Sequence, residues 1–384
     1  MHGQTGPGAR DPRRVAIVHD WLTGMRGGEK VLEAICELYP GATLFTLVRV
    51  PGSVSRKIEA HTIHTSFAQR LPRAARWYRH YLPLYPAAVE TFDLDTYDLV
   101  VSSSHCAVKS VITRGDAKHV CYCHSPMRYA WDQFDAYFGP EQVGAWPSRA
   151  LRPVMAGLAR WDASTSSRVD RFLANSQYVA GRIRRYYNRG SSIVYPPVDT
   201  DFYRPAPGRA NAGSGALVVS ALVPYKRIDV AIEASRLTGI PLRIVGHGPE
   251  ESRLRAHANG SAVEFLGWRS DAEIRDLYRG AAAVLLPGTE DFGIVPVEAQ
   301  ACGTPVVAFD AGGARETVID GITGALVTDR SAAAFADAMA GVVARGLDAD
   351  AVRTNAERFS IAAFKAHFQN AVEDARTHAH DATV

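Results

Sequence analysis

The chain has 384 residues, 47% hydrophobic and 22% charged, which is the composition of a globular protein long enough for two domains. The small net charge of +3 does not suggest a nucleic-acid-binding protein, which would usually have a basic stripe, and no apolar run reaches the ~20 residues needed to span a bilayer. Five cysteines, an odd number, indicate a reducing compartment and no disulfide framework.

The amino-terminal region combines a polar tail with a glycine-rich turn. Residues 1–13 lack the apolar stretch of a signal peptide, so we predict a disordered tail and a cytoplasmic protein. A strand predicted at Val15–His19 leads through Gly27 and Gly28 into a helix from about Glu29 to Leu38. This arrangement is typical of the ligand turn of a doubly wound sheet, but its glycine spacing excludes the dinucleotide and P-loop motifs. The glycines either meet a diphosphate or acceptor closely or form a tight turn with positive φ.

The segment 67–86 mixes basic and aromatic side chains. Its arginines recur at every third position, at Arg70, Arg73, Arg76 and Arg79. Such a segment suits an anionic membrane surface, which predicts a peripheral location at the inner face of the membrane. The alternative is a solvated helix face whose interleaved Trp and Tyr side chains pack into the core.

Asp93 and Asp95 form a D-x-D sequence, a spacing at which two carboxylates can share a metal ion. Both residues precede a strand predicted to begin at Leu99. We therefore interpret the pair as a turn and cap feature, and no metal site is predicted here.

His124 directly follows a strand predicted at Lys118–Cys123. A side chain in this place emerges at the carboxyl end of a parallel strand, where doubly wound sheets bind their ligands. A lone histidine is more often structural, so the position by itself leaves both interpretations open. Strand alternation directs Cys121 and Cys123 to one face and His124 to the other, so these three residues predict no metal site.

The second half follows a stretch rich in Pro, Gly and Ala, residues 201–214, which we predict to be the interdomain linker. The next strand leads into a turn that holds Lys226 and Arg227. A later turn holds Gly246 and Gly248, which permit a close backbone turn beneath a nucleotide. Without further context, Lys226 would be an ordinary solvated surface residue.

The chain has its most specific pattern around a helix predicted at Gly293–Cys302, which follows an apolar strand predicted at Ala281–Leu286. No Ser, Thr, Asp or Asn stands where its side chain would cap this helix. The N–H groups of Gly293 and Ile294 are therefore predicted to form an anion site that fits a phosphate.

Two carboxylates flank this predicted phosphate site, Glu290 in the turn before the helix and Glu298 within it. Their order along the chain matches the sugar hydroxyls, the diphosphate and the ribose hydroxyls of a nucleotide diphosphate sugar, because carboxylates bind vicinal hydroxyls well. The alternative is a solvated pair of glutamates at an ordinary strand-to-helix turn.

The pattern E-x-F-G-x-x-x-x-E from Glu290, followed by A-x-G-T-P-V-V-A, resembles the donor-site motif of family 4 retaining glycosyltransferases, which have the GT-B fold. The resemblance covers roughly residues 14–375 and implies two doubly wound Rossmann-like α/β domains facing a cleft. The implied division is an acceptor-side domain at 14–200, a nucleotide-sugar-binding domain at 215–355, and a helix at 356–384 that packs back on the first domain.

The resemblance also implies roles for individual residues. Lys226 and the amides of Gly293 and Ile294 stabilise the leaving diphosphate, Glu298 binds ribose, and Glu290 binds the transferred sugar. The anomeric configuration is retained without a secure protein nucleophile, and the leaving diphosphate helps to deprotonate the acceptor on the same face. The protein contributes positioning and charge stabilisation.

His124 matches a histidine that the family places near the donor sugar and the acceptor, so it is expected to contact the reacting sugar. Ala221 stands where the family has an arginine, which leaves the diphosphate site short of one positive charge. The adjacent Arg227 is the candidate substitute. Further expected donor-site residues are Gly246, Gly248 and Phe292, and expected cleft residues are Gly27, Gly28 and Arg128.

The segments HSPMRYAWD and VPYKRID resemble bacterial mannosyltransferases of polysaccharide assembly. They imply transfer of a hexose, first mannose from GDP-mannose, to a glycan or polyprenyl-linked acceptor, with no metal, other cofactor or nucleic-acid partner. Two alternatives remain open. One is a sugar-nucleotide epimerase or hydrolase on the same fold, and the other is a non-catalytic sugar-nucleotide-binding subunit.

Overall fold

The computed structural model describes residues 14–206 and 213–377, which form two compact α/β units. The predicted tail at 1–13, and the parts of the predicted linker and carboxyl-terminal segment at 207–212 and 378–384, lie outside the described residues. The first unit takes the described residues of Met1–Ala174, Arg182–Ser192 and Phe368–Val384, and the second those of Asn175–Gly181 and Ile193–His367.

The first unit is built on a sheet whose described strands are β1 (Val15–Leu22), β2 (Thr43–Arg49), β3 (Thr62–Thr65), β4 (Leu99–Ser104), β5 (Lys118–Cys123), β6 (Arg171–Ala174) and β7 (Ser192–Ile193). They lie in the order β3-β2-β1-β4-β5-β6-β7. Each neighbouring pair in this order from β3 through β6 is parallel. Every residue of β1 after Val15 is buried, as expected for a central parallel strand covered on both faces. The strand order reverses beside β1, and ligands bind at such switch points.

The described α-helices of the first unit begin with α1 at Gly27–Leu38, two residues earlier than predicted. It starts there because the Arg26 N–H, which precedes the first turn, donates to the Glu29 carboxylate at 3.0 Å. The others are α2 (Arg56–Glu59), α3 (Ala74–Trp77), α4 (Tyr85–Glu90), α5 (Arg128–Trp131), α6 (Phe134–Phe138), α7 (Pro140–Val143), α8 (Ala145–Ser164) and α9 (Gln177–Tyr187), whose first turn belongs to the second unit.

The second unit has a parallel sheet with described strands β8 (Ala216–Val219), β9 (Leu242–Val245), β10 (Val263–Gly267), β11 (Ala283–Leu286), β12 (Val306–Phe309) and β13 (Gly324–Val327). Their order is β10-β9-β8-β11-β12-β13. Along β11, Ala283 and Leu285 join one apolar cluster while Val284 and Leu286 join another. The sheet is therefore covered on both faces, which explains why its strands read as continuous apolar runs.

The helices after β8 are α10 (Ile228–Thr238), α11 (Glu251–His257), α12 (Asp271–Gly280), α13 (Ile294–Ala301), α14 (Ala314–Thr317), α15 (Ala332–Arg345), α16 (Ala349–Glu357) and α17 (Ile361–Thr377). From Phe368 onward α17 belongs to the first unit, where the Phe368 ring lies 6.4 Å from that of Tyr122. No described helix has the length and apolarity that crossing a bilayer requires.

The boundary between the units differs from the predicted linker at 201–214. The chain joins the second unit from Ile193 onward, well before that stretch. Tyr203, inside the predicted linker, is only 2% exposed and packs its ring 6.0 Å from that of Tyr278. The linker prediction relied on Pro and Gly content, which cannot detect a buried aromatic anchor.

Candidate functional site

Two oppositely charged residues meet at the carboxyl edge of the second sheet. Lys226 ends a short 3₁₀-helix after β8, and Glu290 lies in the turn after β11. Because β8 and β11 are neighbouring parallel strands, these turns come out side by side. The Lys226 ammonium forms an ion pair with the Glu290 carboxylate, and the side chains are 14% and 16% exposed. The structure therefore brings together two of the predicted site residues.

Gly288 makes this approach possible. A Cβ atom at Gly288 would lie 2.7 Å from the Lys226 Cα and 2.8 Å from the Tyr225 carbonyl oxygen, closer than a side chain tolerates. The sequence analysis did not single out this residue, although a glycine directly after a buried strand is a signal of close backbone approach. Gly288 thus sets the distance between the two charged turns.

The start of α13 lies just beyond Glu290. Gly293 is its N-terminal cap with φ at 88°, and no side chain caps the helix. At the other end the Thr304 N–H donates to the Ala299 carbonyl and the Gly303 N–H to that of Gln300, at 3.0 and 2.8 Å. The predicted uncapped start and glycine end of this helix are confirmed. Phosphate binding at its start stays a prediction.

Two predicted donor-site residues, Glu298 and Phe292, are buried. Glu298 is 6% exposed, and its carboxylate accepts a hydrogen bond from the Tyr278 hydroxyl at 3.1 Å. Burial, and then the charge of Glu298, raise the pKa of Tyr278 well above its usual range. The Phe292 ring is 3% exposed and packs against Tyr195 and Phe359. The Phe292 side chain therefore anchors its loop in the core of the second unit, and the expected place of Phe292 at the donor site stays a prediction.

Gly246 and Gly248 lie so close to another backbone segment that only glycine fits at either position. A Cβ atom at Gly246 would collide with the Ser220 carbonyl oxygen, and one at Gly248 with that of Leu222. Both neighbours belong to the turn after β8. The predicted close approach is therefore present, but its partner is this turn, and a role beneath a nucleotide stays a prediction.

Arg227 was the candidate to supply the positive charge that is missing at Ala221, but its side chain is paired elsewhere. Its backbone is left-handed with φ at 51°, and its guanidinium pairs with Asp229 at 3.1 Å. Ala221 is exposed at the end of β8. The positive charge expected at Ala221 is thus not supplied by an unpaired Arg227.

Three histidines gather at the carboxyl edge of the first sheet. His19, His105 and His124 come from the strands β1, β4 and β5 or the residues after them, and their ring centroids lie 5.9–6.4 Å apart. The Ser103 hydroxyl lies between His19 Nδ1 at 3.1 Å and His124 Nε2 at 2.8 Å. Burial, then the neighbouring His105, His19 and Arg128, hold the pKa of His124 well below 6.5. The sequence analysis found only His124, although each histidine ends or follows an apolar strand run.

A buried carboxylate organises the loop that carries His105. Asp20 is fully buried and accepts hydrogen bonds from the amides of residues 105–108, at 2.7–3.1 Å. The same carboxylate lies 3.2 Å from His105 Nδ1. Burial lowers the pKa of His105, although the charge of Asp20 opposes this. Asp20 therefore fixes the loop that carries His105 against the end of β1.

Gly28, Gly27 and Arg128 lie beside this cluster. Gly27 and Gly28 form the first turn of α1, and a Cβ atom at Gly28 would lie 3.8 Å from the His124 ring. Arg128 begins α5, and its charge contributes to the lowered pKa of His124. The structure thus gathers the residues predicted for the acceptor side around His124.

The basic segment divides between core and surface. Arg70, Arg73, Arg76 and Arg79 are all exposed. Tyr78 and Tyr85 are buried in the core of the first unit, so for these aromatic residues the structural alternative is correct. Among the arginines, the large apolar side chains of Phe67, Trp77 and Leu84 are exposed.

Within residues 14–206 and 213–377, no group of three or more His, Cys, Asp or Glu side chains is arranged to hold a metal ion. Asp93 accepts a hydrogen bond from the Asp95 N–H at 3.2 Å, the turn geometry that was predicted. Cys121 and Cys123 are buried as free thiols, and burial raises the pKa of Cys121 to about 12.

Two family models match the chain side by side. Residues 25–202 match Glycosyltransferase Family 4, and residues 199–359 match Glycosyl transferases group 1. A D-inositol 3-phosphate glycosyltransferase of Mycobacterium tuberculosis is 35% identical over 193 residues, which are 44% of this chain and 40% of that protein. A protein of the same name from Mycobacterium bovis matches equally. These alignments thus cover less than half of the relatives' own length.

Solved structures match over nearly the whole chain. HepE of Anabaena in complex with UDP has a TM-score of 0.69 and 20% identity, covering 94% of this chain and all of that one. A sucrose-phosphate synthase of Thermosynechococcus elongatus has a TM-score of 0.70 and 17% identity, with 95% and 100% covered. At this identity the likeness concerns the fold, and it confirms the predicted class of two doubly wound domains of the GT-B type.

Proposed function

The chain is a glycosyltransferase by the two family domains it contains, and on this premise we propose that it transfers a sugar from a nucleotide diphosphate sugar with retention of configuration. The observation that carries the proposal is the Lys226–Glu290 ion pair beside the uncapped start of α13. A cation, free amide donors and a carboxylate are the groups that a sugar diphosphate needs.

We propose that the Lys226–Glu290 ion pair opens when a donor binds. In the proposed donor complex the Lys226 ammonium turns to the diphosphate, and the Glu290 carboxylate accepts hydrogen bonds from the sugar hydroxyls. Lys226 and the amides of Gly293 and Ile294 then stabilise the charge that develops on the leaving group. Glu298, held by Tyr278, accepts from the ribose, and His124 contacts the reacting sugar. The residues position the reactants and stabilise charge without a protein nucleophile.

The identity of the nucleotide sugar donor is a second, more specific part of the proposal. The resemblance to mannosyltransferases favours GDP-mannose, while HepE, a neighbour of this fold, is described in complex with UDP-glucose. Thermal unfolding against GDP-, UDP- and ADP-sugars tests both, since a donor at a hundred times its Kd raises stability by ~2.7 kcal/mol. Stabilisation by none of these donors would contradict the proposal.

Product analysis separates the proposed reaction from its alternatives. With a bound donor and no acceptor, a transferase forms little product, whereas an epimerase yields a new sugar nucleotide and a hydrolase yields free sugar. Binding without any reaction across a range of glycan and polyprenyl phosphate acceptors would favour a non-catalytic binding subunit.

We also propose that the exposed arginines of the segment 67–86 bind anionic membranes, where a lipid-linked acceptor would lie. Replacing Arg70, Arg73, Arg76 and Arg79 with alanine should lower co-sedimentation with anionic liposomes, most strongly at low salt. A control of equal charge replaces four exposed arginines of the second unit, Arg236, Arg253, Arg255 and Arg315, and should bind like the wild type. Equal loss in both variants would mean that net charge, and not this surface, drives binding.

A further inference from the structure

The arginines at the carboxyl edge of the second sheet, in or close to the turns after its strands, differ in whether a carboxylate balances their charge. Those after β8, β10 and β12 each form an ion pair: Arg227 with Asp229 at 3.1 Å, Arg269 with Glu273 at 3.7 Å, and Arg315 with Asp310 at 2.8 Å. Arg330, in the turn after β13, forms no ion pair in the part of the chain that the structure describes. Its positive charge is therefore not balanced by a described carboxylate.

The Arg330 side chain is exposed but has fixed contacts with two neighbouring turns. Its guanidinium carbon lies 3.9 Å from the centroid of the Phe309 ring, and its Nη2 donates to the Thr289 hydroxyl at 2.5 Å. The adjacent Asp329 is engaged elsewhere, because its carboxylate accepts from the N–H and the hydroxyl of Ser331 at 3.0 and 2.7 Å. A guanidinium has five N–H groups, so those not used by Thr289 are available to a ligand.

The strand order places Arg330 and Lys226 on opposite sides of Glu290. β11 lies between β8 and β12, and β13 follows β12. The Glu290 side chain turns to Lys226 after β8, whereas the Thr289 hydroxyl meets Arg330 after β13. A Cβ atom at Gly312, after β12, would lie 2.9 Å from the Thr289 methyl group, which confirms the direction of that side chain. A ligand that extends from Lys226 past Glu290 therefore comes next to Arg330.

The proposed function identifies which part of a ligand reaches Arg330. With the diphosphate at Lys226 and the transferred sugar at Glu290, the next group along the edge is a substituent of that sugar. Arginine binds a carboxylate with two parallel, charge-assisted hydrogen bonds, which a neutral hydroxyl cannot match. Among nucleotide sugars, a hexuronate has such a carboxylate, at carbon 6 of the sugar.

We infer that Arg330 is a specificity-determining residue that selects a nucleotide diphosphate hexuronate as the donor by binding the carboxylate of its sugar. The inference rests on the proposed function and makes its donor more specific. Glu290 alone would repel a negatively charged sugar, so a cation on the other side of that sugar is needed to accept one. The sugar carboxylate would then balance Arg330 as protein carboxylates balance the other arginines of this edge.

Calorimetry of the full chain with two pairs of donors tests the inference. The members of each pair share their base and differ only at carbon 6: UDP-glucose with UDP-glucuronate, and GDP-mannose with GDP-mannuronate. We expect the wild type to bind the hexuronate of at least one pair about tenfold more tightly than its neutral counterpart. Arg330→Ala should reduce this ratio of dissociation constants to about one. Arg330→Lys keeps the charge without the planar guanidinium and should give an intermediate ratio.

The matched control is Arg315→Ala, because Arg315 is also exposed at this edge but is already paired with Asp310. This variant should keep the wild-type ratio. The inference is overturned if the wild type binds the neutral donors at least as tightly as the hexuronates, if Arg330→Ala keeps the preference, or if both variants lose it equally. In these three cases donors still bind, so the proposed function stands. Binding of no nucleotide sugar at all would overturn both.

Discussion

The carboxyl edges of the two sheets use polar residues in contrasting ways. The second sheet presents full charges in contact, Lys226 with Glu290, beside the partial charge of a helix start. The first sheet presents three histidines, and burial lowers the pKa of two of them, His105 and His124. The Ser103 hydroxyl lies between His19 and His124. A charged side chain such as Lys226 can turn to a diphosphate and stabilise it as it leaves. Buried side chains in fixed positions can instead hold a sugar in one orientation. The contrast therefore matches a division of labour between charge stabilisation and positioning.

The largest expected difference between the two units is a loss of stability of the first unit in acid. Burial lowers the pKa of His119, in β5, from 6.5 to about 4. Between these values the imidazole binds a proton only when the chain unfolds, so the first unit loses stability as the pH falls. We expect a loss of about 2 kcal/mol at pH 5 from His119 alone, with His105 and His124 adding to it.

Hydrogen exchange of β4 and β5 against β8 and β11, at pH 7.5 and pH 5, measures this difference. His119→Asn is the control, because it removes one of the titrating groups and should reduce the pH dependence by the part that His119 contributes. Equal loss of protection in both units would show that the histidines do not determine acid stability.

Lys226→Ala should lower turnover about 100-fold, because the diphosphate loses the cation that stabilises its developing charge. Arg227→Ala is the matched control, since that guanidinium is paired with Asp229, and its rate should stay within about threefold of the wild type. Steady-state kinetics with a saturating donor provide the measurement. A near-normal rate for Lys226→Ala together with a slow rate for Arg227→Ala would mean that Arg227, and not Lys226, is the cation that stabilises the diphosphate.

Glu290→Gln should lower turnover about tenfold and at the same time tighten binding of the free nucleoside diphosphate. The amide keeps part of the hydrogen bonding to the sugar but releases Lys226 from its ion pair. Calorimetry with the nucleoside diphosphate checks the second effect, for which we expect a gain of about threefold. Weaker nucleotide binding would mean that the ion pair prepares Lys226 for the diphosphate instead of competing with it.

The smallest expected effect is that of metal removal. Lys226 and the α13 amides are proposed to balance the diphosphate charge, so treatment with EDTA and desalting should leave turnover unchanged. Activity that EDTA abolishes and Mg²⁺ or Mn²⁺ restores would contradict this. In that case a metal ion would supply the positive charge that the family's arginine provides and that Ala221 lacks.

Local features of the candidate site followed from the sequence to different extents. The strand, turn and helix around Glu290 were predicted nearly to their ends, because apolar runs, Pro296 and Gly303 act on neighbouring residues. For Phe292, Gly246 and Gly248 the sequence analysis did not identify the protein contacts that the structure shows, and their roles at a donor stay predictions. Each of these residues touches protein from a distant part of the chain, which no local pattern encodes.

By itself, the sequence determined the two doubly wound domains, the uncapped start of α13 and the carboxylates on either side of it. These depend on side-chain periodicity and on the backbone preferences of single residues. Only the tertiary structure decided that Lys226 meets Glu290 and that His124 stands in a cluster with His19 and His105. Such contacts depend on which parallel strands are neighbours and where each one ends, so residues far apart in the chain come together only once the sheets have formed.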